Sequence, residues 1–205
     1  MTGIAVEVIQ SGEHRRWLTI LTLAFVADPL VRWAWPDAEH YAAYWPRFAE
    51  ADGGAAVDHG TAHETRDGRA VAMWLSPGVE PDQAVLSAVL DASMDADARR
   101  DATALFAQLG GMHPASEHWF LSLIGVDPIA HRRGLGSSLI RHGLEIIDRE
   151  GHPANVEATS PGSRDLYARH GFTVIGVAQA GSSPPVWAMA RPPRGVSLTS
   201  APPVR

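Results

Sequence analysis

Residues 126–137 read Val126-Asp127-Pro128-Ile129-Ala130-His131-Arg132-Arg133-Gly134-Leu135-Gly136-Ser137. The run follows an apolar segment, residues 119–126, and leads into a segment with apolar side chains on one helical face. These patterns predict a strand that ends at Val126 and a helix from Gly134 to Glu150. Further alternation of strands and helices after residue 150 predicts a mixed α/β sheet.

The basic, glycine-containing turn before this helix is typical of an anion site. A helix N-terminus has unpaired N–H groups and the positive end of the helix dipole, so it attracts phosphate. Gly134 and Gly136 lack a Cβ atom, so a diphosphate can approach the backbone closely. Charge and hydroxyl donors come from Arg132, Arg133, Ser137 and Ser138. An ordinary basic turn fits the same residues, but a P-loop and a dinucleotide-binding fingerprint do not.

The composition excludes several classes of protein. The 205 residues suit one domain, and 45% hydrophobic with 20% charged residues suits a packed enzyme. The absence of cysteine excludes disulfides, thiolate zinc sites and cysteine nucleophiles. A net charge of -6 argues against a nucleic-acid partner. No signal peptide and no apolar run of about 18 residues is present, so we expect a soluble, cytoplasmic protein without membrane association.

Hydrophobic periodicity and turn residues predict the remaining elements. Helices are predicted at 13–27, 39–50, 83–109 with a break near 93–94, and 163–170. Strands are predicted at 4–9, 56–64, 69–75, 155–159, 172–178 and 186–190, with a loop at 30–36. We expect one domain over residues 1–191 and a disordered tail over residues 192–205, which is rich in Pro, Ser and Arg.

Two runs carry a resemblance to a known family. Residues 126–137 resemble the cofactor loop of the GNAT superfamily of N-acetyltransferases, and Leu166-Tyr167-Ala168-Arg169-His170-Gly171-Phe172 resembles that superfamily's second signature. Residues 24–25, 72–74, 118–121 and 187–189 resemble puromycin N-acetyltransferases and related antibiotic-modifying enzymes. The resemblance implies a single-domain, mostly antiparallel twisted sheet flanked by helices, with a splayed central strand pair.

The resemblance also implies acetyl-coenzyme A as the acetyl donor. The residues that it assigns to donor binding are Ile124, Val126, His131, Arg132, Arg133, Gly134, Leu135, Gly136, Ser137, Ser138 and Ser163. Pantetheine would lie between the strands at 119–126 and 155–159, where the Ile124 N–H could polarise the thioester carbonyl. Gly125 is a natural position for a bulge that opens this gap. His131 and Ser163 stand where the family usually has Gln or Arg and Asn.

Direct acetyl transfer requires a base for the amine and an acid for the departing thiolate. Tyr167 is the predicted acid because a phenol keeps its proton at pH 7, although packing of the short helix would also explain it. Glu157 is the predicted base because its strand neighbours are small or apolar, and a solvent-facing carboxylate is the alternative. Asp28, Glu117 and His118 are weaker candidates for the base.

Trp33 and Trp35 are predicted to line an acceptor pocket for a flat or cationic ligand. His59 and His63 lie four apart on a predicted strand without a third ligand, so we expect a structural role and no metal site. The expected function is acetylation of a primary amine of a small molecule, such as an antibiotic or a toxin. A non-catalytic acyl-coenzyme A or ligand-binding protein and a protein N-terminal acetyltransferase are the alternatives, and homodimerisation stays open.

Overall fold

The computed structural model describes residues 4–10 and 14–194. Its helices are α1 (His14–Phe25), α2 (Pro29–Ala34), α3 (Ala38–Gly53), α4 (Ala55–Asp58), α5 (Gln83–Ser93), α6 (Ala96–Gly110), α7 (Leu135–Glu150) and α8 (Pro161–Ala168). Its strands are β1 (Val6–Val8), β2 (Ala62–Thr65), β3 (Ala70–Leu75), β4 (Trp119–Val126), β5 (Ala154–Ala158), β6 (Thr173–Ala178) and β7 (Val186–Arg191). None of these described helices is long and apolar enough to cross a membrane.

The described strands form one seven-stranded sheet in the order β1-β2-β3-β4-β5-β7-β6. Neighbouring strands are antiparallel except β4 and β5, which are parallel. Helix α7 connects this parallel pair, as a crossover between parallel strands requires. The predicted mixed, mostly antiparallel sheet flanked by helices is confirmed.

Helices cover both faces of the sheet. On one face, α1 and α3 bury Trp17, Leu21 and Trp45 against the Met73 side of β3. On the other face, α7 packs Leu139 and other apolar residues against the opposite side of β3 and β4. Every residue of β3 is buried, which explains why the strand is a continuous apolar run without polar alternation.

The parallel pair β4 and β5 separates after three residues. Trp119, Phe120 and Leu121 pair with residues 154–156, and β4 then continues to Val126 without a paired residue in β5. The predicted splayed central strand pair is therefore confirmed. The separation leaves a gap between the strands that opens toward the loop before α7.

The bulge in β4 lies at Ser122, so its predicted position at Gly125 was wrong. Met73 pairs with Leu123 and the next β3 residue pairs with Leu121, which leaves Ser122 as the extra residue. Gly125 pairs regularly with β3 and has a different role. A Cβ atom at Gly125 would lie 2.9 Å from the Ala24 side chain, so the glycine allows α1 to pack closely on β4.

Two segments differ from their predicted structure. Residues 30–36 were predicted as a loop, but most of them form α2, because Asp28 caps the Leu30 and Val31 N–H groups and Pro29 suits the first turn. Residues 56–64 were predicted as one strand, but α4 precedes a shorter strand, β2. His59 therefore lies at the end of α4 and does not share a strand face with His63. Most of the predicted tail, residues 195–205, lies outside the described residues.

The close approach of α1 to β4 gives a prediction for stability. Gly125→Ala should lower the free energy of unfolding by about 1–3 kcal/mol, the usual cost of overpacking a filled core. Gly110→Ala is the matched control because a Cβ atom there meets nothing within 4 Å. Urea unfolding measures both, and wild-type stability of Gly125→Ala would contradict the packing explanation.

Candidate active site

A cleft of about 1550 Å³ extends from the gap between β4 and β5. One end lies at the N-terminus of α7, and the other is walled by aromatic side chains of α1, α2, α3 and α6. The predicted site residues that line it are Trp33, Trp35, Ile124, Val126, His131, Arg132, Gly134, Leu135, Gly136, Ser137, Glu157, Ser163 and Tyr167. Residues predicted from four separate segments therefore face one cavity.

The N-terminus of α7 presents unpaired N–H groups to the cleft. Gly134, the N-cap, has a φ of 81°, a left-handed conformation that favours glycine, and no side chain caps the helix. The Ser138 N–H donates to the Gly134 carbonyl at 3.0 Å, so the N–H groups of Leu135, Gly136 and Ser137 precede the first helical hydrogen bond. Three N–H groups at the positive end of a 16-residue helix fit a diphosphate.

Of the four predicted charge and hydroxyl donors, Arg133 and Ser138 lie away from the cleft. Arg132 lines the cleft and takes a φ of 61°, which is unusual for a residue with a Cβ atom. The neighbouring Arg133 is exposed and does not line the cavity. Ser138 is buried, and its hydroxyl donates toward the Ile4 carbonyl at 3.5 Å. The structure therefore brings Arg132 to the site but not Arg133 or Ser138.

Several side-chain donors near the cleft already have protein partners. The Nε2 atom of His131 lies 3.1 Å from the Val126 carbonyl oxygen, to which it donates. The Ser163 hydroxyl closes the N-terminal capping box of α8. The Ser137 hydroxyl lies 3.1 Å from Nε2 of His170. Burial, together with nearby arginines, lowers the pKa of His170, which favours the neutral ring.

The backbone of Ile124 faces the gap between the strands. The Asp127 N–H donates to the Arg69 carbonyl at 2.8 Å, toward β3. Because backbone groups alternate in direction along a strand, those of Ile124 and Val126 point away from β3, toward the separated β5. The gap therefore offers the backbone groups of Ile124 to an extended ligand, whereas the Val126 carbonyl already accepts from His131.

Tyr167 lies beside Asp28 in the cleft. The ring of Tyr167 is buried against Phe172, with ring centroids 6.1 Å apart. Burial raises the pKa of its phenol, and the negative charge of Asp28 adds to this effect. Burial also raises the pKa of Asp28, while a hydrogen bond from the Thr159 hydroxyl lowers it. Tyr167 therefore keeps its proton at neutral pH, so it can act as a proton donor but not as a base.

Glu157 begins a chain of hydrogen bonds that sequence reasoning did not find. Its Oε1 atom lies 3.2 Å from Nε2 of His113. The Nδ1 atom of His113 lies 3.2 Å from Nε2 of His118, and Nδ1 of His118 lies 2.9 Å from the Ser116 carbonyl oxygen. All four residues line the cleft. His113 comes from the loop after α6, and no local pattern marks it as a functional residue.

A second carboxylate, Asp52 of α3, lies close to Glu157 and was also missed. The bulged Ser122 donates its hydroxyl to the Asp52 carboxylate at 2.6 Å. Burial raises the pKa of Asp52 to about 6, and the charge of Glu157 contributes to the increase. No local sequence pattern marks this pair, because the Ser122 bulge that joins it is found only when β3 and β4 are paired in the structure.

The acceptor end of the cleft has a continuous aromatic wall, formed by Phe25, Trp35, Trp45, Phe48 and Phe106. Neighbouring ring centroids lie 4.7 to 6.3 Å apart. The shortest distance joins Phe25 of α1 to Trp45 of α3. Trp35 is buried, and its indole N–H donates to the Ser93 hydroxyl at 2.9 Å. It therefore supports the wall by packing. Trp33 is more exposed and donates to Ser182 at 3.1 Å.

Another pair of histidines, His63 and His142, lies outside the cleft lining. His63 is buried and its ring lies against that of His142, with centroids 4.6 Å apart. Burial lowers the pKa of His63 to about 4, so it is neutral. Within residues 4–10 and 14–194, no group of three or more metal-ligating side chains is found.

The geometry can be compared with known proteins. A family model described as the acetyltransferase (GNAT) family matches residues 25–172. The chain belongs to the GNAT acetyltransferase family. The matched region contains the splayed strands, the α7 N-terminus and Tyr167 of this GNAT protein, and so most of the cleft.

Solved structures agree with this family fold. An acetyltransferase from Corynebacterium glutamicum, described as histone acetyltransferase and related acetyltransferase, is 23% identical with a TM-score of 0.68, covering 96% of this chain and 100% of that chain. Arylalkylamine N-acetyltransferase 2 from Aedes aegypti is 14% identical with a TM-score of 0.63, and the match covers 93% of this chain and 99% of that chain. Polyamine N-acetyltransferase from Drosophila melanogaster is 17% identical with a TM-score of 0.55, and the match covers 92% of this chain and 99% of that chain. At these identities the likeness shows the fold.

The α7 N-terminus gives a prediction for donor binding. Gly136→Val should weaken acetyl-coenzyme A binding by about 1.5–3 kcal/mol, because a branched side chain blocks N–H groups that would bind a charged phosphate. Gly111→Val is a matched control outside the cleft lining. Calorimetry of both folded variants tests the site, and unchanged affinity of Gly136→Val would contradict it.

Asp52 gives a prediction for the pH dependence of stability. Its raised pKa means that the folded state favours the protonated acid, so its contribution is present below about pH 4 and is lost as pH rises through about 6. Asp52→Asn cannot ionise and can still accept from Ser122. The unfolding free energy of Asp52→Asn relative to that of the wild type should therefore increase by about 2 kcal/mol between about pH 4 and pH 7. Urea unfolding at both pH values measures this difference, and parallel pH profiles would contradict the burial of this charge.

Proposed function

We propose that this GNAT protein transfers an acetyl group from acetyl-coenzyme A to the primary amine of a small molecule. The observation that carries the proposal is the combination found in one cleft. An anion-binding helix N-terminus lies at one end, and proton-transfer groups and an aromatic wall lie toward the other. Acetyl transfer between two bound substrates needs these features within reach of each other.

The donor end of the cleft suits a phosphorylated, extended acyl carrier. The N–H groups of Leu135, Gly136 and Ser137 would bind its diphosphate, with Arg132 adding positive charge. The backbone of Ile124 and Val126 would pair with its amide groups, like an added strand. When bound, acetyl-coenzyme A supplies an activated thioester.

The acceptor end suits a cationic amine with a flat or apolar body. Asp52, Glu157 and Asp28 supply carboxyl groups, and the aromatic wall supplies apolar surface and ring faces. The names of two structural neighbours describe enzymes that acetylate arylalkylamines and polyamines, which are amines of this kind. An antibiotic or toxin with a primary amine is the narrower substrate class that we propose, on the basis of the resembling sequence runs.

Two side chains supply the proton chemistry. Glu157 accepts a proton from the amine, whose nitrogen must be neutral to attack. Tyr167 donates its phenolic proton to the departing sulfur, because burial keeps that proton in place at neutral pH. The Ile124 N–H, in the gap, donates to the carbonyl oxygen on which negative charge develops.

The direct test is release of free thiol from acetyl-coenzyme A in the presence of an amine panel. The panel contains an arylalkylamine, a polyamine, puromycin, an amino acid and a peptide with a free N-terminus. We expect release with a cationic aromatic amine and little with the amino acid, since its carboxylate is repelled by Asp52 and Glu157. Tight donor binding without release for any amine would contradict catalysis and favour a binding protein. Release only with the peptide would favour protein N-terminal acetylation.

Tyr167→Phe tests the acid. We expect kcat to fall by about 100-fold, the low end for general acid catalysis, because a thiolate leaves fairly well without help. Acetyl-coenzyme A affinity should change little, since the lost interaction forms mainly in the transition state. Steady-state kinetics and calorimetry measure these two quantities.

Tyr44→Phe is the matched control for this substitution. The Tyr44 hydroxyl donates to the Ala92 carbonyl at 3.2 Å and the residue does not line the cleft. Its kcat should equal that of the wild type. A folded Tyr167→Phe enzyme with the same kcat, under conditions in which chemistry limits the rate, would leave Tyr167 as a packing residue.

A further inference from the structure

The hydrogen-bonded chain from Glu157 to Ser116 connects two acceptors. At one end is the Glu157 carboxylate, which only accepts when ionised. At the other end is the Ser116 carbonyl oxygen, which only accepts in any state. The rings of His113 and His118 lie between them and make three hydrogen bonds in series.

The number of protons in this chain follows from its ends. Three hydrogen bonds require three protons, one in each bond. A neutral imidazole carries one N–H, so two neutral rings supply only two. The third proton must come from an imidazolium or from a protonated Glu157. With neutral rings and an ionised Glu157, the chain would bring two lone pairs together across one contact of about 3 Å.

We infer that Glu157, His113 and His118 together hold one proton more than two neutral histidines and an ionised glutamate. The surroundings support such a charge. Asp52 on α3 faces Glu157, and the Phe120 ring lies 4.9 Å from the His113 ring, where its π face can attract a cation. The side chains of His113 and Glu157 are 24% and 22% exposed, so water reaches them.

With the extra proton on the His113 ring, the chain positions an ionised Glu157 as the base of the proposed acetyl transfer, a role that rests on that function. A proton leaves the substrate ammonium nitrogen for the free oxygen of Glu157. A water in the cleft takes this proton from Glu157, whose side chain is 22% exposed, while the three hydrogen bonds of the chain stay in place. One N–H bond breaks at the ammonium and one proton enters water, so the chain keeps its single extra proton. His118 thus acts as a positioning residue, because it holds the His113 ring that donates to Glu157.

The extra proton can be measured without substrate or donor. Nitrogen-15 NMR of the histidine rings and carbon-13 NMR of the Glu157 carboxyl, at about pH 8, count the protons on the three groups. Isolated histidine and glutamate would be neutral and ionised at this pH. We expect one additional proton in the wild type. Neutral rings with an ionised Glu157 would overturn the inference.

Glu157→Gln is the discriminating variant for this count. Its side-chain amide can donate to Nε2 of His113, so all three hydrogen bonds form with two neutral rings. We expect the extra proton to disappear while the protein stays folded. An imidazolium that persists in Glu157→Gln would show that another group holds the charge, and it would overturn the assignment to this chain.

His118→Ala tests this positioning role. We expect kcat near neutral pH to fall by about 10- to 100-fold, at or below the low end for proton transfer, with acetyl-coenzyme A affinity unchanged. Added imidazole should restore the rate by taking the place of the lost ring. His59→Ala is the control, an exposed histidine away from the cleft. A His118→Ala enzyme with an unchanged pH–rate profile would overturn the positioning role. If no amine is acetylated by the wild type, the proposed function fails while the NMR count still stands or falls separately.

Discussion

The separation of β4 from β5 is the constraint on which the site depends. Up to Leu121 the two strands share hydrogen bonds, and beyond it β4 gains one residue, Ser122, against β3. The extra residue reverses the alternation of the strand, so the backbone of Ile124 turns toward β5 at the point where β5 no longer pairs with it. Because β4 loses its partner on one edge only, it stays paired with β3 and leaves the backbone of Ile124 facing the cleft.

The two ends of the cleft have opposite electrostatic character. Arg132 and the N-terminus of α7 are positive, whereas Asp52 and Glu157 are acidic and lie near the aromatic wall. This polarity matches the anionic donor and the cationic acceptor of the proposed function. The bulge joins the two halves, since Ser122 opens the strand pair and also donates to Asp52.

The proton-carrying groups around the cleft differ in their burial and in their hydrogen bonds. Burial holds the proton on Tyr167 and raises the pKa of Asp52 to about 6, so both groups differ from their solvent-exposed forms. Glu157 is different, because it is hydrogen-bonded to the ring of His113, which is in turn hydrogen-bonded to the ring of His118. Tyr167 and Glu157, the acid and base of the proposed transfer, therefore differ in their surroundings.

The sequence by itself determined the strand before Val126, the helix from residue 135, the glycine at its N-cap and the tyrosine of α8, since these depend on short-range patterns and turn chemistry. It did not reveal α2, because a capping aspartate and a proline can be read as a loop as easily as a helix start. Only the tertiary structure decided that Ser138 faces inward, that the bulge lies at Ser122, and that Asp52 and His113 join Glu157. The physical reason is that strand register and side-chain contacts between distant segments depend on how the helices pack on the sheet, which local periodicity does not encode.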